Sequence, residues 1–373
     1  MSRESKRVLK LCSRCGWMGL FVLFCGLTGI TQSQLRTENV ILITADGLRH
    51  EELFAGMDEN LLAEDNVELK TQYWRTTDKE RRRALMPFFW DTLAPEGIVL
   101  GNRGGGSEVK VAKPYWFSYP GYAEILTGQV LEEVTSNDSV RISRETVLEF
   151  VKRQLQLQTS QVASFASWSV FNFITAHREG AIFSNAGYQD VPERWSTSRL
   201  LELNQLQKEM LTPWKDVRHD AITFWMALEY LKTHRPRLLY LALGETDDWA
   251  HDGRYDRVLE IIREFDRYLE ILWQTLQSIQ QYRGKTTLVI TSDHGRGPGR
   301  EDWTSHGKKI PGAEYIWLAV VGPDTPNRGE VSPSPTFYQK QVAATVLRFL
   351  GLHQEDFDSQ AAPPVPLAFQ GIR

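Results

Sequence analysis

The sequence predicts an α/β domain built around a mostly parallel sheet, and two features of it lead there. Continuous apolar runs at Val40–Ile43, Val162–Ala166, Leu238–Leu243, Thr287–Ile290 and Ile316–Val321 have the character of strands buried on both faces. Between them lie stretches with helical apolar spacing, Arg144–Gln156, Asp220–Thr233, Asp256–Gln281 and Tyr338–Leu350. Strands alternating with helices are what a parallel sheet needs, because each crossover must return the chain to the same edge.

The chain has 373 residues, 42% hydrophobic and 24% charged, enough for one large core or two moderate ones. Its 43 basic and 47 acidic residues are well mixed, so no basic face is available to neutralise a nucleic-acid backbone. The three cysteines, Cys12, Cys15 and Cys25, all stand near the start, which leaves none to form a disulfide in the main domain. Arg3, Lys6, Arg7, Lys10 and Arg14 precede the apolar run Trp17–Ile30, and Thr31-Gln-Ser33 follows. A basic start, a short apolar stretch and small or polar residues form an export signal, and the run is short of the roughly 20 residues of a membrane span. Residues 1–33 are therefore expected to be a signal peptide, with an uncleaved anchor as the alternative, and the protein to be exported to the periplasm or beyond the cell. Membrane association would then depend on such an anchor.

Residues 34–353 are expected to form the catalytic domain. The weakly periodic, charged stretches 51–115 and 178–215 read as excursions or a partial cap. Residues 354–373, containing Ala361-Ala-Pro-Pro-Val-Pro366, read as an extended surface tail.

In open α/β sheets ligands sit beyond the carboxyl ends of the strands. Asp46 follows the first apolar run, Ser167 and Trp168 the second, Glu245-Thr-Asp-Asp248 the third and Ser292-Asp-His294 the fourth. Asp247 and His251, four residues apart, can face the same way on a helical turn and grip one ion, although such pairs also occur on solvated helices. Asp293-His294 could equally begin the next helix by capping it. Taken with Asp46 and the later Ser305-His306-Gly307, they supply six oxygen and nitrogen ligands in order, suited to two divalent ions. Mixed Asp and His ligation without thiolates favours zinc, with manganese and iron as rivals. His50, His177, His219, His234 and His353 have no partner at ligand spacing.

Ser118-Tyr-Pro-Gly-Tyr-Ala-Glu-Ile-Leu-Thr-Gly128 reads as a helix with Ser118 at its N-cap, proline in the first turn and Gly128 as its stop. The same geometry would hold the serine oxygen where free backbone N–H groups and the helix dipole stabilise an anion.

Asp46, the Ser118 turn, Asp247/His251, Asp293/His294 and His306 resemble the ordered motif set of the alkaline phosphatase superfamily, across nearly the whole exported domain. Ser118-Tyr-Pro resembles the nucleophile turn of its type I phosphodiesterase/nucleotide pyrophosphatase branch. The resemblance implies a three-layer sandwich, a serine nucleophile at Ser118, one metal held by Asp46, Ser118, Asp293 and His294, and a second held by Asp247, His251 and His306. Two departures stand out. The branch usually has Asn and His after the proline, where this chain has Gly121 and Tyr122; sulfatases carry an arginine four residues after their modified residue, where Tyr122 stands.

The implied activity is metal-dependent hydrolysis of a small-molecule phosphate ester, monoester or diester, through a phospho-serine. A phosphoryl transferase or mutase of the same superfamily is the alternative, with a sulfatase-like hydrolase disfavoured by Tyr122. Arg103, Lys113, Arg254, Arg296 and Lys308 are candidates to meet the non-bridging oxygens, and Tyr122, Trp168 and Trp249 to line the cleft.

Overall fold

The computed structural model describes residues 35–63 and 66–370; the expected export segment lies outside them. Among the described residues eleven strands are formed in chain order: β1 (Asn39–Ala45), β2 (Gly97–Leu100), β3 (Val109–Lys110), β4 (Val162–Ala166), β5 (Phe183–Ala186), β6 (Leu238–Leu243), β7 (Thr286–Thr291), β8 (Tyr315–Ile316), β9 (Leu318–Val321), β10 (Gly329–Glu330) and β11 (Phe337–Tyr338). Eight make the central sheet in the order β10-β2-β9-β7-β1-β6-β4-β5, and β11-β3-β8 make a small second sheet. In the central sheet β9 alone runs against its neighbours, pairing antiparallel with both β7 and β2.

Every residue of β1 is buried, and its side chains alternate between two cores. Ile41, Ile43 and Ala45 join one cluster with the helices Asp220–His234 and Tyr255–Ser278. Val40 and Leu42 join the other with the helices Ser118–Thr127, Val147–Gln154 and Gln341–Phe349. The result is the three-layer sandwich. Its β1 side chains fill both interfaces, so truncating one of the isoleucines to alanine would cost about 2–5 kcal/mol.

Register puts the site where it is. Thr44 lies opposite Ala242 of β6 and Thr291 of β7, so the three central strands end at one level. The chain leaves them at Asp46, at the turn before Asp247, and at Asp293.

Several segments differ from the sequence reading. The stretch 51–115 contributes β2 to the central sheet and Phe89, Trp90 and Leu93 to its core, and 178–215 supplies the edge strand β5. Four-residue strands are too short to show periodicity. The run 316–321 splits at Trp317, where the chain passes from the small sheet to the central one. The carboxyl-terminal tail is not a surface feature: Val365, Ala368 and Phe369 are buried in the second core, with Phe369 against Phe349. Prolines at 363, 364 and 366 disguise an apolar anchor. Among the described residues no helix is long and apolar enough to cross a membrane.

Candidate metal centre and active site

The helix Ser118–Thr127 begins the site. Phe117, in extended conformation, is its N-cap, and Ser118 is the first helical residue, one position later than expected. Gly128, with φ 73°, ends it in the left-handed conformation that glycine adopts without penalty. The first turn has few backbone donors to offer: the Tyr119 N–H goes to Asn137 Oδ1 at 2.9 Å, and Pro120 has none. The expected cradle of free N–H groups is thus largely spent, and stabilisation of an anion there falls to the helix dipole and to side chains. Gly121 is dictated by a close approach, since a Cβ there would lie 2.3 Å from the carbonyl oxygen of Asp293.

Ser118 Oγ lies 3.5 Å from Asp46 Oδ1 and 3.4 Å from His294 Nε2. His294 Nε2 is in turn 3.3 Å from Asp46 Oδ1, 3.4 Å from Asp293 Oδ2 and 3.7 Å from Asp247 Oδ1. On the other side of Asp247, His251 Nε2 is 3.2 Å from Oδ2 and His306 Nε2 is 3.8 Å from Oδ1. The two imidazole nitrogens, His251 Nε2 and His306 Nε2, approach to 2.9 Å. All seven residues expected from sequence therefore converge at the carboxyl ends of β1, β6 and β7. Asp46, Asp293 and His294 form one ligand-spaced cluster, and Asp247, His294 and His306 another, with His294 common to both.

The donor set fits divalent cations. Asp293 Oδ2 is buried with no hydrogen-bond partner among the described residues, an arrangement that costs free energy unless a cation sits there. His294 Nδ1 pairs with the Gly295 carbonyl at 2.8 Å and His306 Nδ1 with the Trp116 carbonyl at 3.2 Å, leaving both Nε2 atoms free to ligate. Burial, with the Asp247 carboxylate next, pushes Asp46 up to about 7, against the hydrogen bond from Tyr122. Burial and the Asp46 carboxylate push Asp293 well above the usual range. Burial would raise Asp247 too, but Arg296 and His306 hold it well below. The same burial depresses His294 to about 4 and His306 to about 3, which keeps them neutral and able to donate a lone pair. Apart from Arg296 on Asp247 the cluster has no positive charge of its own, and cations would supply it.

Around this core the remaining candidates take other roles. Arg296 is buried and ion-paired to Asp247, so it fixes that carboxylate and is not among the residues lining the cleft. Gly47, at φ 58°, leaves room for that arrangement: a Cβ there would meet Asp247 Oδ1 at 2.5 Å. Tyr122 is buried under the site and donates to Asp46 Oδ2 at 2.9 Å, away from the cleft. Lys113 is buried against the carbonyls of Leu131 and Val134. Arg103 and Lys308 stand over Tyr315 and Tyr115, and Arg254 pairs with Asp256.

A cleft of about 480 Å³ opens over Asp46, Ser118, Asp247, His251 and His306. Trp168 and Trp214 form walls; Trp168 Nε1 donates to Asp216 Oδ2 at 2.8 Å, and Trp249 packs edge-on against Trp214 at 4.8 Å. Asn137, Trp214, Lys215, Asp216 and Asp248 also line it and were not singled out by sequence. Only Asp248, beside a recognised ligand, carried a signal there. Burial and the neighbouring Asp247 raise it to about 9.

A sandwich of this topology with a buried serine and paired Asp/His clusters at the strand ends defines a metal-dependent hydrolase of the alkaline phosphatase superfamily. Residues 65–319 match the family model described as "Type I phosphodiesterase / nucleotide pyrophosphatase". The chain belongs to that family and is a hydrolytic enzyme; Asp46 lies ahead of the matched stretch. Solved structures share the fold at low identity. A murine ectonucleotide pyrophosphatase/phosphodiesterase 5, an inactive form in complex with AMP, is 12% identical with a TM-score of 0.51, covering 88% of this chain and 97% of that one. A phosphonate monoester hydrolase of Agrobacterium radiobacter is 14% identical with a TM-score of 0.53, covering 90% and 79%. The lipoteichoic acid synthase LtaP from Listeria monocytogenes is 13% identical with a TM-score of 0.53, covering 87% and 74%. No curated protein sequence matches the chain.

Proposed function

We propose that the protein is an exported phosphodiesterase of small molecules, with Ser118 as nucleophile and two divalent cations, zinc before manganese. One is assigned to Asp46, Ser118, Asp293 and His294, the other to Asp247, His251 and His306. The observation that carries this reading is the Ser118 hydroxyl, within 3.5 Å of both Asp46 and His294 on the floor of the cleft. Export is supported by the basic and apolar pattern of residues 1–33.

Bound cations would lower the pKa of the serine hydroxyl and offset charge on the phosphoryl oxygens. The chain's own residues do the rest. Ser118 Oγ attacks phosphorus in line, the bond to the leaving alcohol breaks, and the product is a phospho-serine ester. The serine proton has Asp46 Oδ1 as its nearest carboxylate acceptor. That proton leaves with the departing alcohol; water then attacks phosphorus and breaks the Ser118 Oγ–P bond, one of its protons restoring the serine hydroxyl. Asn137, whose Oδ1 is held by the Tyr119 N–H, keeps its amide nitrogen as a donor at the cleft wall.

The cleft lining favours a diester. Lys215 is the one lysine or arginine among its lining residues, set against Asp216, so the second charge of a monoester would find little compensation from side chains. Trp168 and Trp214 offer apolar walls for an organic ester group. Tyr122, with its hydroxyl committed to Asp46, leaves no cation at the position where a sulfatase needs one.

Zinc- or manganese-loaded protein assayed on bis-nitrophenyl phosphate, nitrophenyl phosphate and nitrophenyl sulfate tests this. The diester is expected to give the highest kcat/KM and the sulfate the lowest. Release from none of them, or a preference for the monoester or the sulfate, would overturn it, and an acceptor-dependent product in added alcohol would move the assignment to a transferase.

A further inference from the structure

Two helix N-termini meet behind the cleft, and each is capped by a carboxylate of the other. The helix Asp220–His234 follows His219 and the helix Glu245–His251 follows Gly244; neither receives a side-chain cap from its own N-cap residue. Instead Asp220 Oδ1 accepts the Gly244 N–H at 2.8 Å and Asp220 Oδ2 the Glu245 N–H at 3.0 Å. In return Glu245 Oε2 accepts the Asp220 N–H at 2.8 Å, and Glu245 Oε1 is 3.0 Å from His219 Nδ1. Ser167 Oγ, at the end of β4, donates to Asp220 Oδ1 at 2.5 Å. Asp220 and Glu245 are both buried.

Holding two carboxylates together in the interior is unfavourable, and a neutral cap would satisfy the same backbone groups. What the pair achieves is placement. Glu245–His251 has seven residues, too short to hold its own orientation, yet Asp247 is its third residue and His251 its last. Four atoms of two carboxylates, acting on donors at 219, 220, 244 and 245, fix its first turn relative to the sheet. Ser167 ties the same cluster to the strand end that bears Trp168.

We infer that Asp220 and Glu245 are positioning residues for the metal centre: their reciprocal cap sets the angle at which Asp247 and His251 face Asp46, His294 and His306. This role presupposes that Asp247 and His251 are metal ligands.

Zinc titration of metal-free protein by calorimetry, with the melting temperature of each metal-free variant alongside, tests it. Asp220→Asn and Glu245→Gln keep volume but each turns an N–H group toward a backbone donor. Each is expected to weaken zinc binding about 10–100-fold, the range typical of residues that orient metal ligands. Asp266→Asn is the matched control, because Asp266 is also buried and accepts two backbone N–H groups, from Phe88 and Phe89, on another element. It is expected to lower the melting temperature and leave zinc affinity unchanged. Unchanged affinity in Glu245→Gln and in a folded Asp220→Asn, or an equal loss in Asp266→Asn, would overturn the positioning role. Asp247→Asn separates the two levels: if it binds zinc as the wild type does, the metal assignment itself fails, whereas loss there with no loss in the cap variants sinks only the cap.

Discussion

Tyr122 donates its phenolic hydrogen to Asp46 Oδ2 over 2.9 Å, from one turn beyond Ser118 on the same helix. The helix that carries Ser118 thereby also aims the carboxylate beside it. The Tyr122 ring packs edge-on against Phe171 at 4.6 Å, so Tyr122→Phe would keep the packing and lose only the hydroxyl. That variant is expected to fold normally, to bind zinc about tenfold or more weakly, and to lose activity that excess zinc partly restores. Zinc titration and a metal-activation curve check it.

Gly121→Ala places a methyl group on the Asp293 carbonyl oxygen, a backbone atom that cannot step aside cheaply. Destabilisation of about 1–3 kcal/mol is expected, as for overpacking in a core. Because the displaced partners are Ser118's helix and Asp293, a proposed metal ligand, kcat should fall further than the loss of fold accounts for. Denaturant unfolding and steady-state kinetics on the same preparation measure both.

Removal of metal has a thermal signature. Asp46, Asp247 and Asp293 are all buried, and cations that bind only the folded chain add stability by mass action. A chelator is expected to abolish activity and lower the melting temperature, and added zinc to restore both. An unchanged melting temperature in the chelated protein would argue against metals held by this cluster.

His219 gives a pH dependence of known sign. Its hydrogen bond to Glu245, opposed by partial burial and aided by the charges of Glu245 and Asp220, raises it above its ordinary 6.5. A raised folded-state value means that the imidazolium's contribution is complete below pH 6.5 and is lost as pH rises through the raised value. The melting-temperature difference between wild type and His219→Gln should be largest in mild acid and shrink above neutrality. The contribution is modest, about 1 kcal/mol or less, for a half-buried pair.

The sandwich was legible because buried parallel strands are written as continuous apolar runs, and Asp46, Asp247, Asp293 and His294 because they leave those runs at one level; Ser118 and His306 are legible only through the order of the motifs. Asp46, Asp293 and His294 needed only the rule that sites lie beyond strand ends. Asn137, Trp214 and Lys215 were not legible, since they arrive on segments without periodicity and touch the cleft only through tertiary folding. Val365 and Phe369 were hidden by flanking prolines that resemble a surface tail. Tyr122 is legible as a departure from the sulfatase pattern but not in its role: an aromatic one turn beyond Ser118 reads as a cleft wall, whereas its hydroxyl turns inward to Asp46. Ser118 differs from the expected N-cap by one position: a hydroxyl shortly before a proline is a good N-cap in general, yet here Phe117 makes the turn.

Ser118 Oγ is expected to be the atom that takes up phosphorus. Acid-quenching metal-loaded enzyme during turnover of bis-nitrophenyl phosphate, followed by peptide mass spectrometry, reads that directly. A nitrophenyl-phosphoryl adduct on Ser118, absent from Ser118→Ala and from substrate-free enzyme, is the predicted result. Full activity in Ser118→Ala, or an adduct on another residue, would contradict it.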